Sequence, residues 1–100
     1  MSSSLSQAKN RILPIIQKYL DTHKIKIFVF GSQATDKSHD RSDIDVGLLG
    51  AEPVPLEVMM KIEHDLEEVP YLIDLVDFSR VSSRFKDIAL RKVIPWTTQN

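Results

Sequence analysis

Hydrophobic residues near the start of the chain recur at spacings of three and four. Over residues 8–20 this pattern is typical of an amphipathic helix, with Ser6 as its N-cap. Pro14 lies inside the stretch and removes one backbone hydrogen bond, so we expect a kink or a later helix start there. The first element is therefore a surface helix that has one apolar face.

The same spacing returns twice further along the chain. Residues 56–66 place apolar side chains on one side and charges on the other, which predicts a second helix. Residues 85–90 predict a last, shorter helix, for which Ser82 or Ser83 is the N-cap.

Three segments between these helices have the composition or alternation of strands. Residues 25–30 are β-branched or aromatic and stop at Gly31, residues 43–48 alternate polar and apolar, and residues 71–78 are mostly apolar. Residues 36–42 are all polar or charged and form a surface loop. The order helix, strand, turn, strand, helix, strand, helix predicts an α/β (α+β) layer structure.

Composition narrows the class of protein further. The chain has 100 residues, 42% of them hydrophobic, and 13 Lys and Arg stand against 14 Asp and Glu. A net charge of −1 argues against a nonspecific nucleic-acid binder, and the length predicts one domain over residues 1–100, with residues 1–5 as a loose end. The absence of cysteine excludes disulfides and thiolate catalysis and fits a cytoplasmic location. The longest apolar run, residues 27–30, is too short for a membrane span.

Acidic residues stand where strands are normally apolar. Asp43 and Asp45 are separated by one residue, so their side chains project to the same face. Such a pair repels itself unless a divalent cation, most naturally magnesium, takes the oxygens as ligands. Asp74 interrupts the third apolar strand, and the three acids converge if the two strands are neighbours. The alternative for Asp43 and Asp45 alone is a turn or capping device.

A glycine and a serine follow the first strand directly. At Gly31 the missing Cβ lets backbone amides approach a phosphate, and Ser32 adds a hydroxyl donor. Together with the acids, this turn indicates phosphoryl chemistry of the nucleotidyl-transfer kind, with one or two magnesium ions bridging nucleotide phosphates.

These residues carry a resemblance to a known family. Phe30-Gly31-Ser32, ten intervening residues and then Asp43-Ile44-Asp45 resemble the signature of the DNA polymerase beta-type nucleotidyltransferase superfamily. The spacing and the short chain are similar to the minimal nucleotidyltransferases that are paired with a HEPN-domain protein. The resemblance covers residues 13–93 and implies a mixed β-sheet flanked by helices.

The resemblance also implies roles for individual residues. Gly31 and Ser32 would hold the triphosphate of ATP, and Asp43 and Asp45 would bind magnesium. Asp74 would complete the site and assist deprotonation of the attacking hydroxyl.

One departure from the family pattern and one competing residue bear on this site. Gln33 stands where a basic residue often follows Gly-Ser, and Lys37 and Arg41 are the candidates to replace its phosphate contact; the alternative for both is a solvated loop. Asp77 competes with Asp74 for the third acidic role, but it lies three residues away and faces the other side of the strand.

The C-terminal segment is a further departure. Pro95 stands where relatives end in a short apolar strand, so no edge strand is expected there. Trp96 is expected to pack onto the core, with a partner contact as the alternative.

Two functions of different classes follow from the resemblance. The first is a magnesium-dependent enzyme that transfers AMP from ATP to a hydroxyl of a partner protein, the chain being the antitoxin of a HEPN toxin. The second is a non-catalytic module that binds a nucleotide or the partner and neutralises the toxin by complex formation. The intact set of three acids favours catalysis, because a pure binder has no need to hold repelling carboxylates together.

Overall fold

A computed structural model describes residues 4–31 and 43–97 of the chain. Within these ranges three helices and three strands follow one another in the predicted order, and a fourth, short strand comes at the end. They are α1 (Ser4–Gln17), β1 (Lys26–Phe30), β2 (Ile44–Leu49), α2 (Leu56–Leu66), β3 (Ile73–Asp77), α3 (Ser83–Ala89) and β4 (Ile94–Pro95). The predicted α/β class is confirmed.

The four strands form one mixed sheet in the order β3-β2-β1-β4. β1 runs antiparallel to both β2 and β4, whereas β2 and β3 are parallel. A parallel pair needs a crossover connection, and α2 supplies it between β2 and β3. This topology brings the end of β1 and the starts of β2 and β3 to the same end of the sheet.

Helices α1 and α2 cover one face of the sheet. Their fully buried side chains include Ile12 and Ile16 of α1 and Ile62 of α2, which belong to one core cluster with Val29 and Val46 of the sheet. Alternation along the strands sends these residues to the helical face and leaves the neighbouring positions for the other face.

The second face carries an aromatic cluster. The rings of Phe28 and Phe30 each lie 5.0 Å from that of Phe78, in edge-to-face geometry, and Phe85 of α3 lies 6.1 Å from Phe30. Gly47 makes room for the cluster, because a Cβ there would come within 2.8 Å of the Phe78 ring.

The first helix differs from the expectation. It begins at Ser4, so a loose end over residues 1–5 is wrong for Ser4 and Leu5, and Leu5 packs against the core. Ser6 lies inside the helix rather than at its N-cap. Pro14 does not delay the helix, which passes through it and ends at Gln17.

The C-terminal segment also corrects an expectation. A two-residue β4 pairs with β1, and Pro95 lies opposite Phe28, so the expected absence of an edge strand is wrong. An edge strand tolerates proline because one side of it needs no hydrogen-bond donors. The Trp96 side chain is buried in the core, as expected. The capping prediction for Ser82 is confirmed by the Phe85 amide, which donates to its hydroxyl at 3.1 Å.

The described helices also bear on membrane association. In residues 4–31 and 43–97, no helix has the length and hydrophobicity that crossing a bilayer requires.

Candidate active site

Two of the predicted acids meet across neighbouring strands. Asp45 of β2 and Asp74 of β3 are register partners in the parallel pair. Partners in adjacent strands send their side chains to the same face, and the strands lie about 4.8 Å apart. The condition stated from the sequence, that the two strands be neighbours, is therefore met.

Asp43 completes the acidic group from a position just before β2 begins. Both other carboxylates act on Asp45. Its pKa is raised first by burial, then by the charge of Asp74 and then by the charge of Asp43. Asp45 is half-buried, while Asp43 and Asp74 are exposed. A carboxylate close to two others is repelled by them, which lowers the stability of the fold. Such an arrangement is typical of a functional site.

Gly31 brings the main chain against Asp45. Its φ is +74°, in the left-handed region that glycine adopts without strain. A Cβ built at this position would collide with the Asp45 carboxylate. Both the turn after β1 and the close approach therefore require glycine, which gives the Gly-Ser turn a physical reason at its first position.

Three of the predicted phosphate-binding residues lie outside the described ranges. Ser32, Lys37 and Arg41 belong to residues 32–42, and their roles stay predictions. Gln33 lies in the same stretch.

The three acids do not by themselves form a complete metal site. Among the described residues no group of three or more His, Cys, Asp or Glu side chains has the arrangement of a complete metal site. Magnesium is usually held by one or two carboxylates together with substrate phosphates and water. Hard oxygen donors around a carboxyl of raised pKa fit such a partial site.

Asp77 has a structural role instead. Its buried carboxylate accepts hydrogen bonds from the Val54 amide at 2.7 Å and the Ser79 amide at 2.9 Å. The Arg80 guanidinium lies 3.4 Å away. Asp77 faces the helical side of the sheet, whereas Asp74 faces the side that carries Asp45, and the role of Asp74 as the third acid of the site stays a prediction.

A cavity of about 440 Å³ adjoins the acids, and the sequence did not predict it. It is lined by Phe30, Gly31, Asp45, Phe85, Ile88, Ala89, Arg91 and Lys92. Phe85 and Ile88 lie on the predicted last helix, and 41% and 52% of their surfaces are exposed. The sequence did hold a signal for this cavity. Phe85, Ile88 and Arg91 are spaced three apart, so an apolar helix face ends at a cationic side chain.

This sheet, with its glycine turn and its acids at one end, is the architecture of a nucleotidyltransferase. The family model "Polymerase beta, Nucleotidyltransferase" matches residues 10–95. The chain belongs to this family, and the resemblance stated from the motif is confirmed.

Two curated relatives are named as protein adenylyltransferases. "Probable protein adenylyltransferase MntA" of Haemophilus influenzae is 29% identical over 69 residues, which are 67% of this chain and 60% of MntA. A proposed protein adenylyltransferase of Methanocaldococcus jannaschii is 27% identical over 93 residues, which are 91% of this chain and 96% of the relative. The chain thus spans less than two thirds of the length of MntA.

Solved structures share the fold. A chain of a toxin-antitoxin complex with AMP-PNP superposes with a TM-score of 0.68 at 22% identity, covering 92% of this chain and 74% of that one. A chain from the complex of a tri-AMPylated Shewanella oneidensis HEPN toxin with an MNT antitoxin gives 0.64 at 19% identity, covering 94% and 72%. At this level of identity the likeness establishes the architecture.

Proposed function

We propose that this protein is a magnesium-dependent protein adenylyltransferase that moves AMP from ATP onto a hydroxyl of a partner protein. The observation that carries the proposal is the pairing of Asp45 with Asp74 on one face of the sheet, directly beside the Gly31 turn. Nucleotidyl transfer needs an anion cradle next to carboxylates that face a common point, and these residues supply both.

Each residue has a separate part in this proposal. Asp43 and Asp45 would hold magnesium, which when bound neutralises phosphate charge and stabilises the reacting oxygens. The Gly31 main chain, with Ser32, positions the triphosphate. Asp74 takes the proton of the acceptor hydroxyl, whose oxygen attacks the α-phosphorus of ATP. The bond from that phosphorus to the oxygen bridging the α- and β-phosphates breaks, and pyrophosphate leaves. The exposed carboxylate of Asp74, on an edge strand, is open to an incoming protein.

The cavity beside Asp45 is the proposed place of the nucleotide. Phe30, Phe85 and Ile88 provide the apolar surface that a planar base needs. Arg91 and Lys92 add positive charge at the same cavity, and phosphate groups balance such charge. A volume of about 440 Å³ is in the range of small-molecule sites.

The comparisons support a protein acceptor. Both curated relatives are named for protein adenylyltransfer, and one solved complex of the same fold holds an AMPylated HEPN toxin with its antitoxin. We therefore propose a HEPN-domain toxin as the partner and an antitoxin role for this chain. ATP and magnesium, like the absence of cysteine, fit work in the cytoplasm.

The test follows the label from each phosphate of ATP. The chain is incubated with magnesium, a HEPN-domain protein from the same genome, and ATP labelled at either the α- or the γ-phosphate. We expect label on the partner from the α position alone. Asp45→Asn is expected to abolish the labelling, whereas Asp87→Asn, which changes an exposed carboxylate of α3, leaves it intact. Labelling from the γ position would instead indicate a kinase, and undiminished labelling by Asp45→Asn would refute the assigned site.

A further inference from the structure

The free edge of β3 presents main-chain groups that have no neighbouring strand in the described part of the chain. The Ile44 amide donates to the Leu72 carbonyl, and the Phe78 amide donates to the Leu48 carbonyl. The N–H and C=O groups of even-numbered residues in β3 thus point towards β2. Those of Ile73 and Leu75 point outwards, away from the sheet. An edge of this kind is a template for an added strand.

The opposite edge is less suited to pairing. β4 has two residues, and one of them is Pro95, which has no amide hydrogen to donate. Of the two edges of the described sheet, β3 therefore offers the longer run of main-chain groups.

Apolar side chains lie along the free edge where β3 and α2 meet, and we call this strip the β3–α2 seam. Leu56 and Met60 of α2 and Leu72 before β3 are 63%, 68% and 69% exposed. Two cavities, of about 410 and 500 Å³, lie along the seam, and Glu63 lines both. The seam thus holds two neighbouring cavities beside the edge, with Glu63 between them.

The charge around the seam is negative. Residues 56–70 contain five acidic residues and one lysine. Glu63 and Glu67 line the larger of the two cavities, and both are exposed. A segment that binds here gains from basic residues.

The same edge leads into the candidate active site. Asp74 is the second residue of β3, and its side chain projects to the face that carries Asp45. In an added strand, the residue opposite Asp74 projects to that face as well, at a Cβ separation of about 5 Å. Its two neighbours along the strand project to the other face, towards the β3–α2 seam.

We propose that the acceptor segment of the partner protein binds as a fifth strand on the free edge of β3, with its acceptor hydroxyl opposite Asp74. The segment is extended and basic, and apolar residues flank the acceptor residue and fill the β3–α2 seam. This proposal rests on the proposed function and adds to it the form in which the acceptor is recognised.

The test uses a nine-residue peptide with a central tyrosine, a valine on either side of it and a lysine at each end. One derivative is N-methylated at the tyrosine and another at the residues that flank it. In an antiparallel strand the amides of the flanking residues face β3, and in a parallel strand the tyrosine amide does. Binding is followed by fluorescence anisotropy without nucleotide, and transfer by label from α-labelled ATP.

We expect one derivative to bind about tenfold or more weakly than the parent peptide, because its hydrogen bonds to β3 are lost, and the other to bind as the parent does. Glu67→Lys is expected to weaken binding severalfold, whereas Glu68→Lys, which makes the same charge change one residue away from the cavity lining, has a smaller effect.

Three results would overturn the proposal: equal binding of all three peptides, equal effects of the two charge changes, or a dimer of this chain that the peptide does not dissociate. The two readouts separate the docking edge from the chemistry. If one methylated derivative binds more weakly but no acceptor is labelled, strand addition at β3 is supported and AMP transfer is refuted. If acceptors are labelled but all three peptides bind equally, AMP transfer is supported and strand addition is refuted.

Discussion

The two aspartates of β3 have different proposed roles, Asp74 in AMP transfer and Asp77 in the stability of the fold. Exchanging each for asparagine tests both assignments. Asp77 is buried and accepts two amide hydrogen bonds, with Arg80 at 3.4 Å. Asp74 is exposed, and no contact of this kind is seen for it among the described residues. We expect Asp77→Asn to destabilise the fold while the folded protein still transfers AMP, and Asp74→Asn to fold normally and lose transfer.

The expected loss for Asp77→Asn follows from its contacts. Asparagine keeps one accepting oxygen but loses the charge, so one amide bond and the Arg80 pairing are lost. A hydrogen bond to a charged group contributes about 1.5–3 kcal/mol, and breaking a buried ion pair costs about 3–5 kcal/mol. With Arg80 partly exposed, we expect a net loss of about 2–4 kcal/mol. In a domain of this size, where each kcal/mol shifts Tm by about 4–8 °C, that lowers Tm by roughly 8–32 °C.

Thermal unfolding followed by circular dichroism measures the first effect, and labelling of the partner from α-labelled ATP measures the second. For Asp74→Asn we expect a stability within about 0.5 kcal/mol of the parent and transfer lowered by about 10²–10⁴-fold. The assignments are refuted if Asp74→Asn retains full transfer, or if Asp77→Asn unfolds at the temperature of the parent.

Three further substitutions test the glycines and a tyrosine. Gly31→Ala forces a Cβ onto Asp45 at a positive φ, so we expect a loss of at least 1–2 kcal/mol in chemical denaturation, together with loss of nucleotide transfer. Gly47→Ala places a Cβ against two phenylalanine rings, and an urea titration should show about 1–3 kcal/mol of destabilisation. The hydroxyl of Tyr19 donates to Asp65 at 2.6 Å, and this bond, more than burial or the Asp65 charge, raises the pKa of Tyr19 above 10.0. An ultraviolet titration should therefore show a lower Tyr19 pKa in Asp65→Asn, and an unchanged titration would contradict the role of this hydrogen bond. The stabilisation that Tyr19 gains from Asp65 should be complete below pH 10 and be lost as the pH rises through the folded-state pKa of Tyr19.

The acidic centre could be predicted from sequence because alternation along a strand is a local property. An aspartate within an apolar strand stands on a definite face, and the competitor three residues away stands on the other. Asp74 and Asp77 therefore lie on opposite faces of β3, and the buried contacts of Asp77 agree with a structural role for it. The adjacency of β2 and β3, by contrast, depends on the crossover through α2, which a strand pattern does not encode.

Features that depend on contacts with other elements of the fold could not be predicted from the sequence. The spacing of Phe85 and Ile88 identifies an apolar helix face, but it does not say whether another element covers that face, and here half of each side chain stays open at a cavity. Pro95 weakens a central strand but is tolerated at an edge, and edge position is a property of the whole sheet. The close approach of Gly31 to Asp45 depends on the pairing of β1 with β2, which the turn sequence alone does not show.

The central claim is that this chain modifies its partner covalently, and intact-protein mass spectrometry of the HEPN partner tests it most directly. After incubation with the chain, ATP and magnesium, the partner should gain the mass of one or more AMP groups, and it should gain none with Asp45→Asn. If the partner is neutralised by the parent and by Asp45→Asn alike, with its mass unchanged, neutralisation is by binding, and the proposed transfer is contradicted.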